Sequence, residues 1–183
     1  MQAQEAASDV QILDRLLVPH LRTNSDIAHV AAQSLSASAR AGVIWWAITA
    51  WRLRTGERTN RQAAVDGAIA WCLAQVVGKA VKQVVHRRRP TTGQGKQPSS
   101  PSMPSTHTTN AVAYAVAAGI RDPRTAVPLG ALAATIGWSR LALNRHYPTD
   151  VVVGVALGGV VGVSVALAHR AYDTRSRSNE VTT

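Results

Sequence analysis

Three short clusters combine histidine with basic or hydroxyl residues: Lys82 to Pro90, Pro104 to His107, and Ser139 to Asp150. Together they supply cations, three imidazoles and a carboxylate. That inventory suits phosphoryl transfer, whose transition state spreads charge over three oxygens and is stabilised by prepositioned cations and N–H donors. In the third cluster His146 and Asp150 are four residues apart, so a helix start there puts the carboxylate one turn from the imidazole. This is a way to fix a tautomer and raise nucleophilicity. A lone His–Asp pair at this spacing is more often a structural hydrogen bond, but Arg140 and two further basic clusters favour the chemical reading.

The second cluster opens an apolar helix. A helix N-terminus presents unpaired N–H groups and a positive dipole end, which favour a phosphate, although Ser105 also suits a plain helix cap. His107, Asn110 and Tyr114 share one face of that helix, turning polar groups toward an interior. In the first cluster Gln75, Lys79, Lys82, His86 and Arg89 follow spacings of four, three, four and three, which place all five on one helical stripe. Charged groups at membrane depth are expensive and normally face a wet cavity; snorkelling accounts for Arg87 to Arg89 more easily than for Lys79 and Lys82. Arg89 and Pro90 end the helix, and Pro90 to Pro104 reads as a long loop, either a lid or a disordered segment.

The elements that must position these clusters are apolar helices. The chain has 183 residues, 46% of them apolar, and a net charge of +10, which bounds it to one compact domain. Its arginines punctuate apolar runs, as at Arg52 to Arg61, Arg121 to Arg124 and Arg170 to Arg177. That layout indicates a polytopic membrane protein more than a nucleic-acid binder. The clearest span is Val151 to Ala168, whose only polar group is the Ser164 hydroxyl. Gly154, Gly158, Gly162 and Ala166 recur at four-residue spacing within it and predict close approach of another helix. Weaker spans are Ala39 to Leu53, Ala63 to Val85, Thr108 to Ile120 and Thr125 to Leu143.

Ahead of them, Val10 to Leu21 sets Ile12, Leu13, Leu16 and Leu17 against Asp14 and Arg15, the pattern of a helix lying at the interface. No charged n-region and apolar h-region precede it, which argues against a cleavable signal peptide. Cys72, the single cysteine, excludes an intramolecular disulfide and a cysteine-based zinc site. The expected fold is all-α, a membrane helical bundle of about five transmembrane helices plus the N-terminal interfacial helix. Residues 1–26 form the interfacial segment, 27–170 the helical domain and 171–183 a basic tail.

Lys82 with six residues to Arg89-Pro90, Pro104-Ser105-Thr106-His107, and Ser139-Arg140 with five residues to His146 and three more to Asp150 resemble the three-part signature of the type 2 phosphatidic acid phosphatase (PAP2) superfamily. Three motifs in order at matching internal spacing make a chance match improbable. The resemblance implies a phosphatase that needs no metal or other cofactor and works through a phosphohistidine. It assigns His146 as nucleophile, Asp150 as its orienting partner, and His107 as the acid that protonates the leaving oxygen and then activates water. Lys82, Arg89 and Arg140, the hydroxyl and amide of Ser105 and the amide of Thr106 would hold the phosphate oxygens. Thr106 stands where the family usually has glycine; a positive φ there would cost threonine, whereas helical geometry preserves the amide contact. Lys79 and His86 lie outside the family pattern and are expected to line the same cavity.

The implied substrate is a membrane lipid phosphate or diphosphate, with polyprenyl-linked phosphates, phosphatidylglycerophosphate and phosphatidate all open. The expected partners are that substrate and membrane lipids, with no nucleic acid; the oligomeric state is left open. Positive-inside bias puts the motifs on the extracytoplasmic side of a bacterial plasma membrane. A lipid phosphotransferase using the same histidine chemistry is the alternative enzyme. A haloperoxidase of similar pocket is disfavoured by the short chain and apolar spans. A basic membrane anchor would leave the motif spacings unexplained and predicts salt-dependent DNA binding.

Overall fold

The computed structural model describes residues 12, 14, 16, 17, 25–39, 42–90 and 99–181. Among these, the α-helices are α1 (Asp26–Ser38), α2 (Val43–Thr55), α3 (Arg58–Val85), α4 (Thr106–Arg121), α5 (Ala126–Ala142) and α6 (Pro148–Val181), with a 3-10 turn at Pro123–Thr125. No strand occurs among the described residues. The all-α expectation holds, and each of the five expected apolar spans coincides with a helix.

The centre of the bundle is α4, which packs against α3, α5 and α6. Half of its buried positions are alanine: Ala111, Ala113, Ala115, Ala117 and Ala118. Alanine carries no rotamer entropy into the core and lets neighbouring backbones come close. The sequence marks α4 as a weak span because it is short and carries polar residues. Its position explains both traits, since its flanking helices and not lipid receive its side chains.

The glycine row predicted on α6 makes this packing possible. A Cβ on Gly154 would lie 3.0 Å from the Ser105 carbonyl oxygen, one on Gly158 2.4 Å from that of Thr109, and one on Gly162 2.8 Å from that of Ala113. Ala166 continues the row and is buried. The opposite side of α6 projects Val152, Val155, Val160 and Leu167 outward, and α3 projects Ile69, Leu73 and Val76. An apolar surface of that extent suits lipid. Helices α3 and α6 are long and apolar enough to cross a membrane.

Three local features differ from expectation. Helix α1 was not foreseen, because DIAHVAAQSLSAS carries too many polar residues to stand out; Ala32 buries it against Ala142 and Leu143. Of the expected interfacial helix, Ile12, Asp14, Leu16 and Leu17 are described and helical, and the rest of Val10 to Leu21 lies outside the described residues. The apolar three are exposed while Asp14 is buried, so the acid points into the protein. Finally, α6 stays helical through Val181.

The arginine clusters read as membrane punctuation turn out to be partly internal. At the end of the bundle remote from the three motifs, Arg52 pairs with Asp122 at 3.3 Å. Arg121 joins Asp66 at 2.9 Å and Asp173 at 2.5 Å, and His169 Nδ1 meets the other oxygen of Asp66. These pairs cross-link α2, α3, α4 and α6; for the largely buried Arg52–Asp122 and Arg121–Asp66 pairs, removing one partner would strand the other charge, typically at about 3–5 kcal/mol.

Candidate active site

The three motifs meet at one end of the bundle because each sits at the site-facing terminus of its helix: Lys82 closes α3, Ser105 to His107 opens α4, Arg140 closes α5, and His146 to Asp150 leads into α6. The turn from α5 to α6 is made by Asn144 in the left-handed region (φ 50°), which asparagine tolerates better than most residues. Arg145 N–H bonds back to the Arg140 carbonyl at 3.0 Å, which fixes His146 relative to Arg140.

His146 is 4% exposed and lies between a carboxylate and a guanidinium. Its Nδ1 is 3.4 Å from Asp150 Oδ2, and its Nε2 is 3.1 Å from Arg89 Nη1. A guanidinium can only donate, so Nε2 is the acceptor and the ring proton belongs on Nδ1, toward Asp150. The Nδ1 contact is long and not aligned for a full hydrogen bond, and Nδ1 has no other partner. Burial disfavours the imidazolium, and Arg89 adds to that against the opposing pull of Asp150. The His146 pKa falls to about 4, so the ring is neutral at neutral pH.

Asp150 is fully buried and held on both oxygens. Oδ2 accepts from the Tyr147 amide at 2.9 Å, while Oδ1 accepts from Arg87 Nη1 at 2.8 Å and from Ser102 Oγ at 3.4 Å. Arg87 is a residue of the candidate site that sequence reasoning missed. It also donates to Thr149 Oγ1 at 2.6 Å and to Asp14 Oδ2 at 2.5 Å, and its guanidinium lies 4.3 Å from the Tyr147 ring centroid. Asp14 in turn accepts from the Thr149 amide at 3.2 Å. Burial alone would lower the Arg87 pKa, but Asp14 and Asp150 together raise it. In sequence Arg87 is one of three consecutive arginines, and nothing there separates it from a solvated neighbour.

The cations expected to face a phosphate converge on the same end. Arg89 is braced by the Ser100 carbonyl at 3.0 Å and the Arg145 carbonyl at 2.9 Å. Lys82 donates to the Pro101 carbonyl at 2.6 Å and is 6% exposed. Arg140 is buried and bonds Ser139 Oγ through Nε and Nη2.

The stripe read from Gln75 to Arg89 needs correction beyond Lys82. Helix α3 stops at Val85, and His86 takes a left-handed conformation (φ 46°) as its C-cap. His86 is exposed and contacts the Val84 carbonyl, so it does not line the cavity. Arg89 reaches the site from the following loop instead of by helical periodicity. Gln75, Lys79 and Lys82 do line one cavity with Thr106, His107 and Asn110.

At α4, Ser105 is the N-cap residue but makes no side-chain cap bond. Its hydroxyl accepts from Thr108 Oγ1 at 3.0 Å, and its amide donates to the Asp150 carbonyl at 2.9 Å. That amide is therefore unavailable to a phosphate, contrary to the role implied for it. The amides of Thr106 and His107 belong to the first helical turn, where backbone donors have no intrahelical acceptor. Thr106 is helical, so no positive φ arises. Its methyl faces Gly78, where a Cβ would come within 3.2 Å.

A buried, neutral imidazole between a carboxylate and a guanidinium, with Lys82 and Arg140 buried at the same end of an all-α bundle, is an arrangement suited to phosphoryl transfer. Residues 63–174 match the PAP2 superfamily, and the chain belongs to it. It is 39% identical over 116 residues to the decaprenylphosphoryl-5-phosphoribose phosphatase of Mycobacterium tuberculosis, covering 59% of this chain and 62% of that protein. The Mycolicibacterium smegmatis protein of the same name is 36% identical over 131 residues, 67% and 69% of the two chains. The lipid A 1-phosphatase of Rhizobium etli is 35% identical over 68 residues, 37% of this chain and 29% of that one. The alignment thus spans less than two thirds of the M. tuberculosis relative.

Two solved structures share the fold. One is a transmembrane PAP2-type phosphatidylglycerolphosphate phosphatase from Bacillus subtilis, with TM-score 0.72, 19% identity and coverage of 91% of this chain and 87% of that one. The other is LpxE of Aquifex aeolicus, with TM-score 0.68, 20% identity and coverage of 85% and 93%. With two helices able to cross a bilayer, these relationships support an integral membrane protein.

Proposed function

We propose that this protein is an integral-membrane phosphatase that removes phosphate from a lipid-linked phosphate through a phosphohistidine intermediate. The observation that carries the reading is His146, with Asp150 at Nδ1 and Arg89 at Nε2. Each neighbour supports one requirement of a nucleophile that must be neutral before attack and cationic after it.

In the first half-reaction Nε2 of His146 attacks phosphorus and the bond to the leaving oxygen breaks. His107, taken to be protonated once the bound phosphate anion offsets the cations around it, gives that oxygen its proton, and the Nδ1 proton shared toward Asp150 stabilises the charge that develops on the ring. Lys82, Arg89 and Arg140, with the hydroxyl of Ser105 and the amide of Thr106, hold the three equatorial oxygens. In the second half-reaction His107 takes a proton from water, the hydroxide attacks phosphorus, and inorganic phosphate leaves as the P–N bond breaks. Every step is carried by side chains or backbone of this chain, so the reading includes metal independence.

The relatives named for a decaprenyl-linked phosphosugar favour a polyprenyl-type lipid phosphate among the candidate substrates. We place the site end on the extracytoplasmic side, on the arginine clusters Arg52 to Arg61, Arg121 to Arg124 and Arg170 to Arg177 at the opposite end, against which Arg87 to Arg89 and Arg145 weigh on the site side. The test is phosphate release by detergent-purified protein from a panel of lipid phosphates with chelator present. Wild type should release phosphate and form an acid-labile phosphoenzyme; His146→Ala should do neither. Full activity of His146→Ala would end the mechanism, and loss of wild-type activity on chelation would end metal independence.

A further inference from the structure

Beside His107 lies a cavity of about 230 Å³ whose lining includes Trp45, Trp71, Gln75, Lys79 and Asn110. His107 and Lys82 also line it, so it borders the residue assigned as the acid for the leaving group. Two of its lining side chains form an amide pair, in which Asn110 Nδ2 donates to Gln75 Oε1 at 2.8 Å. Asn110 is 6% exposed and its Oδ1 has no hydrogen-bond partner. A buried acceptor left unmade is costly, and natural sites seldom keep one without a use. The pairing also survives exchange of O and N in both amides, because the pair then still offers the cavity one acceptor and one N–H donor.

We infer that Gln75 and Asn110 form a hydroxyl-binding subsite for the leaving group, and that the preferred substrate carries a hydroxyl close to the scissile phosphoester, as a glyceryl or pentosyl phosphate does. The inference rests on the assignment of His107 as the acid for that group. A hydroxyl is at once donor and acceptor, which matches an amide pair that presents both. Lys79, exposed at the cavity rim, adds a donor for a second oxygen. An apolar leaving group would occupy the same space and leave Asn110 Oδ1 buried and unpaired. Sites built to bond a substrate hydroxyl discriminate strongly against analogues that lack it.

Two matched substrate pairs test this and separate the two sources of hydroxyl. One pair is 1-acyl-glycerol 3-phosphate and its 2-deoxy analogue; the other is an alkyl riboside 5-phosphate and its 3-deoxy analogue. For at least one pair, wild type should show kcat/KM at least about tenfold higher on the hydroxylated member, and the pair with the larger ratio identifies the source. Asn110→Leu and Gln75→Leu should each bring that ratio close to one. Equal turnover within both pairs by active wild type, or a ratio that both variants leave intact, would overturn the subsite and leave the phosphatase reading standing. Release of phosphate from none of the four by protein active on the lipid-phosphate panel would overturn the subsite alone, and inactivity on that panel as well would overturn the phosphatase reading with it.

Discussion

Arg87 Nη1 lies 2.8 Å from Asp150 Oδ1, on the oxygen that faces away from His146. The same guanidinium holds Asp14, so two buried acids share one cation and the N-terminal segment is tied to the reacting centre. Asp150 is thereby clamped in the plane from which it addresses the imidazole.

Under the proposed mechanism, loss of this clamp should be read in turnover more than in binding, because Arg87 contacts Asp150 and not His146 Nε2. Arg87→Ala should lower kcat roughly 10–100-fold, the usual cost of removing a partner one bond from the reacting group, with KM changed much less. Asp14→Asn should lower kcat by a smaller factor, and the double variant should fall short of the product of the two effects, since both act through one network. Steady-state kinetics on the four proteins of this cycle measure the coupling; independent effects would refute it.

The depressed pKa of His146 makes a signed prediction. A ring held near 4 instead of 6.5 keeps its Nε2 lone pair through the mildly acidic range. Inactivation by diethylpyrocarbonate, protectable by inorganic phosphate, should therefore persist below pH 5 and fall with a midpoint near 4. Asp150→Asn removes the one neighbour that raises the pKa and should move the midpoint lower still. The unfolded chain takes up this proton near 6.5, so His146 also makes stability fall as pH drops from 6.5 toward 4. A midpoint at 6 or above would contradict the burial argument.

Thr106 occupies a helical position with its methyl over Gly78. Thr106→Gly should leave kcat/KM within a few-fold and cost about 0.5–1 kcal/mol of stability from backbone entropy. Gly78→Val should be worse, because the added branches enter the space of the Thr106 methyl beside the phosphate site. Thermal unfolding and phosphate release measured together separate the two effects.

Adjacent glycines on α6 provide an internal control. A Cβ at Gly158 would stand 2.4 Å from the Thr109 carbonyl, whereas one at Gly159 meets nothing within 4 Å. Gly158→Ala should destabilise the bundle by about 1–3 kcal/mol through overpacking, while Gly159→Ala should be neutral or mildly stabilising because alanine favours helix. Thermal stability in detergent decides the comparison; equal effects would mean that α4 and α6 do not meet along this row.

What the sequence determined by itself was whatever depends on spacing within one helix or on a short motif. Gly154, Gly158 and Gly162 announced a close contact, and the four-residue gap from His146 to Asp150 foretold their approach at a helix start. The three motif clusters carried the candidate site, and apolar runs marked the helices that hold it. Tertiary structure alone decided what depends on chains meeting from far apart. It selected Arg87 from three consecutive arginines by placing it between Asp14 and Asp150, and it gave the Ser105 amide to the Asp150 carbonyl. It ended the stripe of α3 at a left-handed His86, so that Arg89 reaches His146 from a loop. It also turned Arg52 and Arg121 inward to buried aspartates. The physical reason is that periodicity reports which face a residue occupies, whereas the energy of a buried charge depends on the partner that faces it, and that partner is chosen by packing.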